Sequence, residues 1–301
     1  MDFREELTRR LAGVELRWEE PMSRHTTFRI GGPAQVMALP RNEEQIALVC
    51  RTAREMELPL LVTGCGSNLL VGDRGIRGVV LKLSELVGTI EPEPQGAWLG
   101  AGLRLSRAAE WAMRQGLTGM EFAHGIPGSV GGAVFMNAGA YGGEMSHIVR
   151  ETRYVDIDGT MGTVRGEEHG FGYRTSCFQQ SGRIVIATRI ELTPGDREAI
   201  EARMRDLAQR RREKQPLNYP SAGSTFKRPE GYFAGQLIQE AGLKGLRVGG
   251  AMVSEKHAGF VVSDGTATCA DVKALIREVQ RRVKENSGVE LHCEVQMVGD
   301  D

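Results

Sequence analysis

The sequence has no apolar run long enough to span a membrane and no excess of charge of either sign. Its 38 Lys and Arg residues nearly balance 39 Asp and Glu residues, so no overall field attracts nucleic acid or an anionic membrane. Residues 1–6 (MDFREE) also lack an apolar stretch behind a basic start. We therefore expect a cytoplasmic protein without a secretory signal or membrane insertion, whose partners are small molecules and not nucleic acid.

Cysteine is sparse and scattered. Neither the close pairs of a zinc site nor the spacing of a disulfide framework is present. We expect no metal site and five free thiols, at Cys50, Cys65, Cys177, Cys269 and Cys293.

A chain of 301 residues, 41% of them hydrophobic, is long enough for at least two domains with real cores. Asn42 is expected to cap a helix that ends near Leu58-Pro59, with Gln45 in the capping-box position. Buried strands are expected at 60–62 and 79–83. Beyond Pro92 and Pro94, which suggest a boundary between lobes, a strand near Trp98-Leu99 and a helix over 106–115 are predicted.

Strand patterns at 153–157 and 183–192, around a turn at Asp158-Gly159, favour antiparallel pairing and a mixed α+β lobe. Residues 196–214 have the pattern of a charge-covered helix, and we place a domain junction near its start.

Toward the end of the chain, an apolar strand is predicted at 260–262. Thr268 and Asp271 form a capping box for a helix that Ser287-Gly288 can close. A final strand at 289–298 alternates cleanly between apolar and polar residues, which would place Glu294 on its polar face.

Two glycine-rich stretches are the strongest candidates for ligand binding. Residues 64–70 (GCGSNLL) follow a strand, and their glycines permit close backbone approach to a diphosphate, although an isolated Gly-x-Gly is more often an ordinary turn. Residues 125–143 hold seven glycines interleaved with Val, Phe and Met, which favours contact with a bulky ligand over a flexible linker. Neither stretch is a dinucleotide fingerprint or a P-loop.

Seven motifs, in order, resemble the UDP-N-acetylenolpyruvoylglucosamine reductase family over nearly the whole chain. They are TFRIGG (27–32), GCGSNLL (64–70), the stretch 125–142, GYRTS (172–176), AGSTFK (222–227), SEKHAG (254–259) and EV (294–295). The resemblance implies an α+β protein with a two-lobed FAD-binding domain of the vanillyl-alcohol-oxidase (PCMH) type, lobes at 1–85 and 86–198, and an α+β substrate-binding domain at 199–301. It also implies bound FAD, NADPH as co-substrate, and reduction of an enolpyruvyl UDP-sugar to UDP-N-acetylmuramate in peptidoglycan precursor synthesis.

The same resemblance assigns roles to single residues. Arg174 would bind the substrate carboxylate, Ser224 would deliver a proton, and Glu294 would orient or polarise the enol group. Substrate or NADPH would contact Tyr173, Lys214 and His257. The residues expected to bind FAD are Gly64, Cys65, Gly66, Ser67, Asn68, Leu69, Gly125, Ile126, Pro127, Gly128, Ser129, Gly132 and Asn137.

Each of these residues also has an ordinary structural interpretation. A single arginine such as Arg174 usually forms a surface ion pair, a Gly-Ser-Thr sequence at Ser224 is often a turn or helix cap, and Glu294 could simply belong to a hydrated strand face. No room remains between Arg174 and Arg183 for the extra tyrosine-bearing loop of one subtype, so the shorter subtype is indicated. Arg228 occupies a position that is asparagine in some members.

Two other functions remain open at this point. One is an oxidase on the same flavin scaffold, which would pass electrons to oxygen instead of receiving them from NADPH. The other is a module that binds a flavin or a UDP-sugar without turnover.

Overall fold

The computed structural model describes residues 2–301, and helices and strands alternate irregularly along them. The helices are α1 (Phe3–Arg10), α2 (Glu43–Glu55), α3 (Leu105–Arg114), α4 (Val130–Phe135), α5 (Met145–Ile148), α6 (Phe178–Ser181), α7 (Arg197–Lys214), α8 (Ala234–Glu240) and α9 (Cys269–Ser287). The strands are β1 (Glu15–Pro21), β2 (Pro33–Leu39), β3 (Leu60–Thr63), β4 (Leu69–Val71), β5 (Ile76–Lys82), β6 (Ile90–Glu93), β7 (Gly96–Gly100), β8 (Leu117–Thr118), β9 (Gly139–Ala140), β10 (Gly143–Glu144), β11 (Val149–Val155), β12 (Met161–Arg165), β13 (Ile184–Glu191), β14 (Thr193–Pro194), β15 (Arg247–Val248), β16 (Ala251–Val253), β17 (Val261–Ser263) and β18 (Gln296–Val298).

The strands form three larger sheets and three two-stranded pairs. A four-stranded sheet has the order β1-β2-β5-β3, and a five-stranded sheet has the order β12-β11-β13-β7-β6. The third sheet is β15-β16-β17, and the two-stranded pairs are β10-β9, β14-β8 and β18-β4. β3 and β5 run parallel, as do β4 and β18, whereas the neighbours within the five-stranded sheet are antiparallel.

The chain divides into two units, each with its own core. Unit 1 comprises residues 1–18, 36–65 and 78–210, and unit 2 comprises residues 19–35, 66–77 and 211–301. In unit 1, α2 and α3 pack buried apolar side chains against the strands. In unit 2, α8 and α9 do the same against β16 and β17. The division into lobes at 1–85 and 86–198 with a domain at 199–301 stays a prediction.

The helices begin where the sequence predicts. The Asn42 side chain accepts a hydrogen bond from the Gln45 amide (2.9 Å) and caps α2. Thr268 and Asp271 form the predicted capping box of α9, which ends at Gly288 with φ 73°. These local signals act within one turn of helix, so the sequence carries them without tertiary information.

Two strand predictions need correction. After the turn at Asp158-Gly159 the chain returns at once as β12, a strand that the sequence analysis missed, and β13 pairs with the other side of β11. The predicted strand at 289–298 is regular only in β18, while Cys293 forms an isolated bridge with Phe226. Pro92 lies inside β6, opposite Ala97 of β7, so it marks a hairpin.

Candidate active site

The two glycine-rich stretches meet in unit 1. Gly64 follows β3, and a Cβ atom added to it would lie 2.2 Å from Ser129 Oγ and 3.2 Å from Ser129 Cβ. Ser129 is buried and caps α4, accepting from the Gly132 amide at 3.5 Å. Gly128 accepts a backbone hydrogen bond from Leu105 (3.0 Å), which ties the second stretch to α3. The absence of a side chain at Gly64 is therefore what permits the two loops to touch.

Each loop begins next to a buried polar atom that has no hydrogen-bond partner within residues 2–301. Thr63 Oγ1 lies directly before Gly64, and His124 Nδ1 lies directly before Gly125. Buried polar groups are nearly always hydrogen-bonded, so these two atoms point to a group that the polypeptide itself does not supply. Polar atoms beside touching glycine loops fit a dinucleotide such as FAD, whose diphosphate, ribityl and ring atoms offer many hydrogen-bonding positions.

We expect Gly64→Ala to weaken FAD binding about 10-fold or more, because overpacking of this kind costs about 1–3 kcal/mol. The added methyl must displace the Ser129 side chain or the backbone of either loop. Flavin content after purification and the dissociation constant for FAD measure the effect.

Ser129→Ala removes the hydroxyl that the new methyl would meet, and it provides the matched control. The double variant should lose less FAD affinity than the sum of the losses in the two single variants, because the two substitutions share one contact. Additive losses in the double variant would contradict this account of the loop contact.

The second stretch ends in a polar network around Asn137, which is 1% exposed and has φ 43°. Asn137 Nδ2 donates to Glu144 Oε1 (3.0 Å) and to the Gly172 carbonyl (3.0 Å), while Asn137 Oδ1 accepts from the Ser146 amide (2.9 Å). Ser146 Oγ also donates to Glu144. The Asn137 side chain thus fastens the loop to the segment that carries Arg174, and its contact with FAD stays a prediction.

Glu144 is a functional candidate that the sequence analysis missed. Hydrogen bonds from Ser146 and Asn137, together with the charge of nearby Arg174, lower the pKa of its carboxyl group. The carboxylate therefore stays charged at neutral pH and attracts the Arg174 guanidinium. The indication available in the sequence was its position directly after the glycine-rich stretch that ends at Gly143.

Arg174 has a strained backbone and several fixed contacts. Its φ is 55°, a left-handed conformation that non-glycine residues adopt mainly at constrained sites. Arg174 Nη2 donates to the Gly139 carbonyl (3.1 Å), and its guanidinium lies 5.3 Å from the ring centre of Tyr173, which is 55% exposed. Gln179 Nε2 donates to the Arg174 carbonyl (2.9 Å). The guanidinium is held beside the second loop, with an exposed aromatic ring next to it.

His169 packs against Phe171, three residues before Arg174 in the chain. It is buried, stacks on Phe171 at 4.9 Å, and its Nε2 lies 2.9 Å from Thr152 Oγ1. Its Nδ1 lies 2.8 Å from the Gly166 carbonyl, an acceptor, so the neutral ring donates there and accepts from Thr152. Burial lowers the pKa of His169.

This lowered pKa predicts a pH dependence of stability. The unfolded chain takes up the His169 proton near pH 6.5, whereas the folded protein does so only at lower pH. The stabilising contribution is therefore complete above about pH 6.5 and is lost as the pH falls below that value. His169→Gln should lower the free energy of unfolding at pH 7.5, by about 1–3 kcal/mol, and should make its further decrease toward pH 5.5 shallower than in the parent. Urea titrations at both pH values test this, and parallel pH profiles would contradict it.

In unit 2, the backbone brings Ser224 close to Glu294. Thr225, the residue after Ser224, accepts from the Glu294 amide (2.8 Å) and donates its own amide to Gly259 (2.9 Å). Ser224 is exposed and Glu294 is half-buried. Asn68 Nδ2 donates to the Glu294 carbonyl (3.1 Å), so a predicted cofactor residue also lies here.

His257 lies next to this group. Its Nδ1 accepts from the Gly259 amide (3.1 Å), and burial lowers its pKa, so the ring is neutral at pH 7 and keeps Nε2–H as a donor. Lys214 is exposed at the end of α7, and Arg228 lies 4.0 Å from the Phe233 ring centre. A cavity of about 530 Å³ opens nearby, with Arg212, Tyr219 and Lys256 among its lining residues. The predicted substrate-binding residues lie outside this lining.

Comparison with known proteins identifies the family. The chain is 50% identical over 283 residues to UDP-N-acetylenolpyruvoylglucosamine reductase of Clostridium perfringens, covering 94% of this chain and 93% of the relative. The chain belongs to the UDP-N-acetylenolpyruvoylglucosamine reductase family. The Streptococcus thermophilus member is 47% identical and covers 98% of this chain and 97% of its own length.

Domain models and a crystal structure agree with this family. Residues 34–165 match the FAD binding domain, and residues 215–298 match the C-terminal domain of UDP-N-acetylenolpyruvoylglucosamine reductase. The crystal structure of the reductase from Thermus caldophilus superimposes with a TM-score of 0.80 at 38% identity, covering 94% of this chain and 98% of that one. The predicted α+β fold class, with an FAD-binding domain and a C-terminal substrate domain, is confirmed.

Among the described residues, no group of three His, Cys, Asp or Glu side chains could hold a metal ion. Within residues 2–301, every helix is too short or too polar to cross a membrane. The five cysteines are free thiols.

Proposed function

We propose that this protein reduces UDP-N-acetylenolpyruvoylglucosamine to UDP-N-acetylmuramate with NADPH, and that it carries FAD as its cofactor. The observation that carries the proposal is the near-complete match to reductases of this name, together with touching glycine loops that leave buried polar atoms for a cofactor. We further infer that the reaction takes place in the cytoplasm and serves peptidoglycan synthesis, and through it cell shape and division.

FAD, when bound, supplies hydride transfer from NADPH to the terminal carbon of the enolpyruvyl group. Addition of hydride there leaves negative charge on the carbon that bears the ether oxygen, and this charge is delocalised into the carboxylate. One proton must then reach the same carbon to give the lactyl ether. The protein therefore needs a fixed cation and a proton donor.

Arg174 is proposed as that cation. Its guanidinium donates to the Gly139 carbonyl and lies in the field of the Glu144 carboxylate, so it is oriented before substrate arrives. A planar guanidinium can bind both oxygens of a carboxylate. Stabilisation grows as charge moves onto the carboxylate, which makes the interaction stronger in the transition state than in the ground state.

Ser224 is proposed as the proton donor, and Glu294 as the group that orients or polarises the enol. Ser224 is exposed, and the carbonyl of the next residue, Thr225, accepts a hydrogen bond from the Glu294 amide. Tyr173, Lys214 and His257 are proposed to contact substrate or NADPH, where a cation can pair with a diphosphate and a ring N–H or O–H can donate.

Anaerobic stopped-flow absorbance tests the function. NADPH should bleach the flavin absorbance band at about 450 nm. UDP-N-acetylenolpyruvoylglucosamine should restore this band, and an alcohol should not. Fast reoxidation by oxygen with alcohol substrates and no response to NADPH would instead indicate an oxidase. Flavin that is reduced by NADPH but never reoxidised by the enolpyruvyl sugar would indicate a module without turnover.

A further inference from the structure

The carboxyl ends of β3 and β5 place two polar side chains next to each other at the mouth of the first glycine loop. The strands are parallel, and Thr63 pairs in register with Lys82. Residues in register on neighbouring strands present their side chains on the same face of the sheet. Both residues end their strands, and Gly64 follows Thr63 directly.

Thr63 offers a hydroxyl group that nothing in the described chain uses. The residue is 4% exposed, and its Oγ1 has no hydrogen-bond partner within residues 2–301. The hydroxyl carries a desolvation penalty that a bound acceptor would remove.

Lys82 carries an ammonium group that no carboxylate in residues 2–301 balances. Its Nζ donates to the Gly64 carbonyl at 2.5 Å, which uses one of its three N–H groups. In the described part of the chain no Asp or Glu forms an ion pair with it, and burial lowers its pKa. Its titratable neighbours are Cys65, whose thiol pKa is raised by burial, and Arg104, a cation that pairs with Glu85 at 2.9 Å. A largely buried ammonium without a counter-ion is costly unless a ligand supplies one.

We propose that Thr63 Oγ1 and Lys82 Nζ bind the diphosphate of FAD, beyond the glycine-loop contacts. This inference rests on the proposed FAD cofactor. The diphosphate is anionic in both oxidation states of FAD, so it can pair with the Lys82 ammonium in both. Negative charge on the reduced ring exists for only part of each turnover and could not stabilise the resting protein.

Holoenzyme variants separate the charge of Lys82 from its hydrogen bond to Gly64. Lys82→Gln keeps a donor for the Gly64 carbonyl but removes the charge, and it should raise the dissociation constant of FAD about 10- to 100-fold. Lys82→Arg keeps the charge and should restore most of the affinity. Thr63→Val should weaken binding about 5- to 10-fold, and Thr63→Ser much less. The matched control is Lys284→Gln, an exposed lysine paired with Glu290 at 3.4 Å, which should bind like the parent.

The measurements are free flavin fluorescence after ultrafiltration of serially diluted holoenzyme, its dependence on KCl, and the flavin midpoint potential. We expect the KCl dependence of FAD binding to decrease in Lys82→Gln while the midpoint potential stays that of the parent, because both oxidation states lose the same interaction. Melting of the flavin-free proteins monitors folding separately. If Lys82→Arg also loses FAD while its melting is unchanged, charge is not the cause and the proposal fails.

Two further results would overturn the inference. Unchanged affinity in Lys82→Gln would leave Lys82 as an anchor of the Gly64 carbonyl only. A midpoint potential that shifts in this variant would place the charge at the flavin ring. A parent protein that binds no FAD would refute the proposed cofactor itself, and that result is distinguishable from both.

Discussion

Ser224→Ala should leave the reduction of FAD by NADPH nearly unchanged and slow the reoxidation by UDP-N-acetylenolpyruvoylglucosamine about 100-fold or more. The proton is needed only when the carbanion forms on the substrate, so only the second half-reaction loses its donor. Because Ser224 is exposed and its hydroxyl supports no core packing, stability should change little.

Anaerobic double mixing separates the two halves, since each rate constant is read from the flavin absorbance. Ser221→Ala is the matched control: it lies three residues earlier, and its carbonyl, not its hydroxyl, accepts from Thr27 (2.7 Å). Equal slowing of both half-reactions would refute the role of Ser224 as proton donor.

Arg174→Lys should slow reoxidation about 100-fold or more while flavin reduction stays close to that of the parent. Lysine keeps the charge but cannot bind both carboxylate oxygens in one plane. It also has no easier access to φ 55° than arginine, so backbone strain is the same in both proteins. NADPH has no carboxylate, which is why the first half-reaction is spared.

Arg183→Lys provides the comparison, because Arg183 also lies over an aromatic ring, Tyr154, at 4.5 Å. That variant should turn over like the parent. A loss in Arg174→Lys that disappears at saturating substrate would mean that the guanidinium contributes to binding alone, and the proposed transition-state role would be wrong.

The sequence revealed those features whose cause is local. Asn42, Thr268 and Gly288 define helix ends through contacts within a few residues, and their signals were correct. β12 was missed because Met161–Arg165 is short and contains a glycine. The prediction of one strand at 289–298 was wrong because two parts of this segment pair with different partners. Cys293 forms a bridge with Phe226, and β18 pairs with β4.

The candidate site was only partly visible for the same reason. Motifs supplied Arg174 and Ser224, but the significance of Thr63, Lys82 and Glu144 depends on what surrounds them. An orphaned hydroxyl or an unbalanced ammonium is defined by the absence of neighbours, and neighbours distant in sequence appear only in the fold. Asn137 was predicted from its motif, whereas its three hydrogen bonds to Glu144, Ser146 and Gly172 come from the structure.

The parallel pairing of β4 with β18 also affects the order in which parts of the chain can fold during synthesis. Residues 69–71 overlap the end of the first glycine-rich stretch, and their strand partner, Gln296–Val298, is synthesised more than two hundred residues later. At a ribosomal rate of roughly 5–20 residues per second, that interval is roughly 10–45 s. During this interval the apolar strand Leu-Leu-Val has no strand partner, and an unpaired strand edge can pair with the wrong segment. We therefore expect residues 69–71 to become ordered only after residues 296–298 have been synthesised and have left the ribosome.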